Sequence, residues 1–346
     1  MNTLQAFFET HRQRLDLGHY GIPARISCLV VTPGFRASNH VVFLVLADGK
    51  PDPVLVAKVP RLAGASASVE REVANLQAVQ ASRPGGFDSI PRVVAFEEYH
   101  GRPILVETAL VGRSMDPASV RRDLAGCCDA VIGWLTDVQR PHPSAADADR
   151  FERLVEQPLR HFAEVFPVSA EEARLLERTW DLVAPLRRAG LPLVFEHGDL
   201  SSPNVMRLKD GAAGVVDWEL AQPHGLPACD LFFFLTYAAF ALRRARAQGD
   251  YVAAFHAAFF APAAWARPYV AAYAERLQMP AHLLTPLFVL CWARYMTSLL
   301  VRLDGAQRSD ERLGAETATW LRANRYYALW RHTLAHLNEL DWQDLH

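Results

Sequence analysis

Apolar positions cluster in short runs over residues 24–60, where ARISCLVVT, HVVFLVLADGK and PDPVLVAKV are rich in Val, Leu and Ile and break at P-G, D-G and P-D-P. This pattern predicts an antiparallel meander. The period then changes: Val69, Val73, Leu76 and Val79 recur at helical spacing, so residues 66–80 read as a helix with Ser66 or Ser68 as its N-cap. After R-P-G-G, the stretch IPRVVAFEEYHGRPILVETAL predicts two further strands around Tyr99-His100-Gly101-Arg102. Five strands with one inserted helix make a small N-terminal lobe.

From Asp116 onward helical periodicity dominates, over residues 119–138, 150–166, 170–189, 228–248 and several more segments to His346. One interruption, LPLVFEHGDLSSPNVMRLKDGAAGVVDWELA, alternates apolar runs with polar loops, and Lys209-Asp210-Gly211 marks a hairpin turn within it. The apolar run Leu231 to Leu242 falls short of the ~20 residues a spanning helix needs, and the longer Leu283 to Val301 contains Pro286 and Arg294. Both read as buried helices, with no membrane association.

Composition adds limits. The chain has 346 residues, 51% of them hydrophobic and 21% charged, which suits a folded soluble protein of two lobes, since single cores stop growing at roughly 250–300 residues. Lys+Arg 36 against Asp+Glu 38 leave a formal charge of -2, so no global positive field draws nucleic acid. The cations are almost all arginine, which singles out Lys58 among the lysines Lys50, Lys58 and Lys209. Five cysteines without a C-x-x-C pair argue against a disulfide framework or a structural zinc site. Together with an N-terminus that lacks the apolar core of a signal peptide, they predict a cytoplasmic protein.

The densest polar cluster is Glu196-His197-Gly198-Asp199-Leu200-Ser201-Ser202-Pro203-Asn204, and Val215-Val216 delivers Asp217 at a strand end 13 positions beyond Asn204. An Asp, an Asn and a second Asp brought together supply one oxygen that accepts a proton and two side chains that hold a hard cation such as magnesium. H-G-D-x-x-x-x-N followed by an apolar strand ending in D-W-E resembles the aminoglycoside phosphotransferase and choline kinase-like family of small-molecule kinases. The likeness extends over most of the chain. Ala57-Lys58-Val59 is similar to the strand carrying the phosphate-binding lysine, and Glu72 in E-R-E-V-A-N-L to its helix partner, in preference to Glu70. Residues 33–39, with Gly34, Ser38 and Asn39, are similar to the loop over the nucleotide.

The resemblance implies an α+β, two-lobed protein kinase-like fold. Its N-terminal nucleotide-binding lobe, residues 1–108, would hold a five-stranded antiparallel sheet with one helix, besides a helix at the N-terminus. Residues 109–346 would form a larger, mainly helical catalytic lobe. It also implies ATP (or GTP) and Mg2+ as cofactors. Asp199 would orient the acceptor hydroxyl and take its proton, Asn204 and Asp217 would coordinate magnesium, and Lys58, held by Glu72, would contact the α/β-phosphates. The main chain near Glu107 and Ala109 would pair with the base, and Asp230 would brace the catalytic loop and cap the next helix. His197 would be structural.

The family pattern is not matched throughout. The nucleotide loop has one glycine instead of three, and Trp218-Glu219 follows Asp217 with no activation segment before Asp230, which fits small-molecule kinases better than protein kinases. A kinase acting on peptide Ser/Thr and a non-catalytic nucleotide-binding pseudokinase are the alternatives. His224, Cys229 and His256 read as packing residues. Between Leu231 and His346, 12 arginines against nine acids do not favour a polycationic acceptor. The aromatics of this region suit a sugar or a partly apolar metabolite, and Arg294 with Arg302, about two turns apart, could hold an anionic one.

Overall fold

The alternation over residues 27–60 becomes three paired strands, β1 (Ser27–Val31), β2 (His40–Leu46) and β3 (Pro53–Pro60). These and the other elements below come from a computed structural model that describes residues 3–22, 26–31, 40–61, 66–140, 149–189, 192–304, 314–340 and 342. Helices α1 (Thr3–Thr10) and α2 (Ala67–Ala81) flank the meander, and β4 (Val93–Tyr99) and β5 (Arg102–Thr108) complete a sheet of order β1-β2-β3-β5-β4. Every neighbouring pair is antiparallel. The β4–β5 turn places His100 at φ 51 and Gly101 at φ 73, the paired left-handed conformations of a two-residue hairpin.

Two faces of this sheet carry different work. Leu55, Ala57, Ile104 and Val106 point to the face covered by Leu4, Phe7 and Phe8 of α1 and by Leu15, Leu17 and Ile22. Full burial of a phenylalanine contributes about 1.5–3 kcal/mol, so the N-terminal segment is a structural cover for the sheet. With a side-chain period of two, Lys58, Leu105 and Glu107 fall on the opposite face, where Val69 and Val73 of α2 pack on Leu105. Ser66 precedes α2 but makes no side-chain cap bond.

The chain divides into two compact units, Met1–Ser114 with Pro203–Pro223, and Met115–Ser202 with His224–His346. In the first, β6 (Gly112–Ser114), β7 (Val205–Leu208) and β8 (Ala213–Val215) form a second antiparallel sheet of order β6-β7-β8. Gly211 at φ 86 and Ala212 N–H donating to Asp210 Oδ1 at 2.9 Å close the expected hairpin.

The second unit is helical: α3 (Pro117–Arg122), α4 (Leu124–Val138), α5 (Gln157–Val165), α6 (Ala170–Val183), α7 (Cys229–Leu242), α8 (Ala245–Gln248), α9 (Tyr251–Phe259), α10 (Arg267–Arg276), α11 (Leu284–Asp304), α12 (Ala315–Arg322) and α13 (Arg325–Ala335). Several helices are shorter than their periodicity predicts. Asp123 leaves helical geometry to cap α4 by accepting from Gly126 N–H, which separates α3 from α4. A π turn over Glu152–Glu156 precedes α5, Pro185 turns the end of α6 into a 3-10 turn, and Arg244 at φ 51 divides α7 from α8. Helix α7 is buried on nearly every side, and the apolar stretch Ala281–Leu300 is 83% buried inside the protein, as expected of core helices.

Gly112 sits where β6 meets β7: a Cβ there would lie 2.5 Å from the Arg207 carbonyl oxygen. Gly112→Ala is expected to destabilise the protein by about 1–3 kcal/mol, seen as a lowered Tm in thermal unfolding, because backbone must move to admit the methyl group.

Candidate active site

Sheet alternation turns Lys58 inward toward α2, where it is 4% exposed, and a buried ammonium needs compensating charge. Glu72 on α2 accepts a hydrogen bond from its Nζ. Glu107 Oε1 stands 3.5 Å from the same nitrogen and Asp217 Oδ1 3.7 Å from it. Burial alone would lower the lysine pKa, but Glu107, Glu72 and Asp217 outweigh it and hold the group charged well above its ordinary range. The carboxylates bear the converse load. Burial pushes Glu72 up despite the opposing field of Lys58, and it raises Glu107 as well.

Asp217 leaves β8 at φ 70, a left-handed conformation that Asp tolerates better than most side chains. Helix α2 fixes the turn. Trp218 N–H donates to Glu72 Oε1 at 3.0 Å, and Asn75 Nδ2 donates to the carbonyls of Trp218 and Ala221, each at 2.9 Å. Asn204, buried at the start of the hairpin, accepts a hydrogen bond from Val216 N–H at 3.0 Å through its main-chain oxygen. The two oxygen-donor residues proposed for a cation are therefore linked through Val216, and their carboxylate and amide oxygens are the chemistry that magnesium prefers.

Four features depart from or extend the sequence reading. Ala109 N–H is committed to Val54 O at 3.1 Å, so this amide closes the sheet instead of facing a base. Glu107 contributes a side chain to the Lys58 cluster, a role that its position two residues from Leu105, on the inward face, could have revealed. Asn75, three residues after Glu72 and therefore on the same helical face, is the polar exception among Val73, Leu76 and Val79. His40, 4% exposed, lies with Nδ1 3.8 Å from Glu219 Oε2, and its pKa is lowered first by burial and then by the Lys58 charge. Gly34, Ser38 and Asn39 lie outside the described residues.

In the second unit, the loop bearing Asp199 is braced from α7. Asp230 Oδ2 accepts from His197 N–H at 2.7 Å and from Gln139 Nε2 at 2.9 Å, while Oδ1 accepts from Gly198 N–H at 2.9 Å. Gly198 adopts φ 82, which a side chain would strain. Asp230 braces this loop as expected, but it does not cap α7: Ala228 holds the N-cap position without a side-chain bond, and Asp230 sits in the first turn. His197 Nδ1 accepts from Asp199 N–H at 3.3 Å, a structural bond, and Ser201 Oγ reaches Asp199 Oδ1 at 3.5 Å. Burial and the neighbouring Glu196 push Asp230 up to about 7. Arg294 is committed to Glu196, with Nη1 at 2.9 and 3.0 Å from its carboxylate oxygens, so its charge serves the core rather than an anionic acceptor. The Arg302 side chain lies outside the described residues.

The surplus of buried carboxylate around Lys58 sets a pH dependence. Burial raises Glu72 above its ordinary 4.5 in the folded state, so its contribution to stability is complete below pH 4.5 and is lost as the pH rises toward the raised value. The nucleotide-free protein is expected to lose Tm progressively as the pH rises above about 4.5, and Glu107→Gln, which removes one of the competing negative charges, to flatten that decline in a Tm series across pH.

The sequence matches the family model described as "Phosphotransferase enzyme family" over residues 32–273. A comparison with curated proteins gives no match. Among solved structures, the chain is similar to an ethanolamine kinase from Plasmodium vivax, at 12% identity over 88% of this chain and 83% of that one, with a TM-score of 0.56. It is also similar to amicoumacin kinase hAmiN, solved with AMP-PNP and Ca2+, at 12% identity over 96% and 97% of the two chains and TM-score 0.53. Aminoglycoside phosphotransferase APH(3'')-Id from Streptomyces rimosus gives 18% identity over 85% and 99%, with TM-score 0.51. At these identities the structural likeness concerns the fold, which is α+β, two-lobed and protein kinase-like, while the sequence match spans more than half of the chain. The chain belongs to the phosphotransferase enzyme family.

Proposed function

We propose that the protein is a cytoplasmic, ATP- and Mg2+-dependent kinase that moves the γ-phosphoryl group to a hydroxyl of a small molecule, whether aminoglycoside-like, a sugar or another hydroxylated metabolite. The buried Lys58–Glu72 ion pair, with the Asp217 carboxylate on the same ammonium, carries this reading. A lysine held rigid and fully charged is suited to grip phosphate oxygens as a point charge. Complexes of similar kinases with AMP-PNP, and with small molecules such as amicoumacin, point the same way.

Asn204 and Asp217 would hold magnesium, which when bound neutralises charge on the phosphates. Lys58 would bind the α/β-phosphates, with Glu72 fixing its position. Asp199 would accept the proton of the acceptor hydroxyl as that oxygen bonds to the γ-phosphorus and the bond from this phosphorus to the ADP oxygen breaks. The brace from Asp230 to His197 and Gly198 would keep Asp199 in place without motion during transfer.

An acceptor with an apolar face would suit the aromatic residues packed near Asp199, among which Tyr326 and Phe233 are themselves buried. The Tyr326 phenol is raised chiefly by burial, against Arg325, with the charge of Asp199 adding to the rise. Tyr326 stacks on Phe233 at 5.3 Å and lies 4.3 Å from Tyr295, between ring centroids.

Purified protein with magnesium and ATP or GTP is expected to phosphorylate at least one member of a panel of aminoglycosides, amino alcohols, sugars and nucleosides, followed by product mass. Asp199→Asn should lower the rate by ~10²–10⁴, the range for a positioned general base, while leaving nucleotide binding in place. Transfer to a peptide library alone would move the acceptor class to protein. A nucleotide-induced thermal shift without any transfer would mark a pseudokinase.

A further inference from the structure

Three imidazoles gather in the second unit, among them His256, which the sequence reading placed among packing residues. His256 ends toward α13 from the last turn of α9, His332 lies in the last turn of α13, and His336 is its C-cap. One ring nitrogen from each lies within 4.8 Å of the others. His256 Nδ1 and His332 Nε2 face each other at 3.1 Å. A tetrahedral ion with nitrogen ligands at about 2.0–2.1 Å sets those nitrogens roughly 3.3 Å apart, so this pair already has nearly the required spacing.

Glu339, in the short turn after α13, completes the arrangement. Its Oε1 is 2.7 Å from His336 Nδ1, and its Oε2 is 3.8 Å from His256 Nε2. The carboxylate on His336 Nδ1 fixes that tautomer and leaves Nε2 as the ligand, an arrangement typical of histidines that bind metal. Ring packing limits reorientation: His256 stacks on Phe260 at 5.6 Å with planes 7° apart, and His332 meets Phe260 edge-on at 5.2 Å. His332 also lines a groove of about 510 Å³ together with Glu171, Arg174, Arg178, Val252 and Arg331.

We propose that His256 Nδ1, His332 Nε2 and His336 Nε2 bind a divalent transition cation of the zinc type, oriented by Glu339, and clasp the end of α13 to α9. Nitrogen donors select zinc, nickel or copper over magnesium, so this site is chemically separate from the oxygen donors Asn204 and Asp217. Ligation joins His256 to residues 76 and more positions further along the chain, so the ion would add stability to the helical unit. The inference stands whether or not the kinase reading holds.

Zinc titration of the untagged protein against a chromophoric chelator, in excess magnesium, tests it. One equivalent is expected to bind in micromolar range or tighter and to raise Tm. His332→Ala and His336→Ala should each weaken binding at least tenfold, and Glu339→Gln by ~10-fold or more, the usual loss for a carboxylate behind a ligand. The basal rate of phosphoryl transfer should not change in these variants. Because these side chains are only half-buried, circular dichroism should report a folded protein throughout. Binding absent at millimolar zinc, binding unchanged in the His332→Ala/His336→Ala double variant, or binding abolished by Cys28→Ser, the half-buried thiol, would each overturn the proposal.

Discussion

An ammonium ion taken out of water either loses its proton or gathers negative charge, and Lys58 gathers it from α2, β5 and the turn after β8. Three carboxylates face one ammonium, so the cluster holds more negative charge than the lysine can balance. That imbalance is unfavourable in the isolated chain and favourable toward a cation, which gives the cluster a use beyond stability. Removing one partner of a buried pair costs about 3–5 kcal/mol, because the other charge is then stranded. The same glutamate that holds Lys58 receives Trp218 N–H, so the ammonium and the Asp217 turn are positioned by a single side chain.

The loop around Asp199 follows the same logic with different groups. Its amides are satisfied by Asp230, and Asp230 is itself tied by Gln139 and Tyr273, the latter through a hydrogen bond to Gln139. Glu196, next to this loop, is neutralised by Arg294 and also accepts from Leu226 N–H. The amides of His197 and Gly198 and the Glu196 carboxylate are answered by segments remote in sequence, which makes the loop stiff without regular secondary structure. Stiffness is what the general-base role proposed for Asp199 requires.

On the two proposals above, oxygen donors beside Lys58 and nitrogen donors between α9 and α13 would give the protein two cation chemistries. Hard ions prefer the first and borderline transition ions the second, so neither set competes for the other's ion. The first would bear on phosphoryl transfer and the second on how the C-terminal helices are held.

The sequence alone determined the elements whose signal is local. Valine-rich alternation marked β1 to β5, the 3.6 period marked α2, and H-G-D-x-x-x-x-N with Lys58 and Glu72 upstream marked the family, because spacing within a strand or helix needs no knowledge of the rest of the fold. Helix breaks at Asp123 and Arg244 were not legible, since a cap or a left-handed residue interrupts a periodicity that continues on both sides. Tertiary structure decided what depends on partners far along the chain. It turned Glu107 to Lys58, tied Asn75 to Trp218 across 143 positions, committed Arg294 to Glu196, and gathered His256 with His332 and His336. A side chain's type is written in the sequence, but the charge or lone pair it meets is set by which strand or helix packs against it.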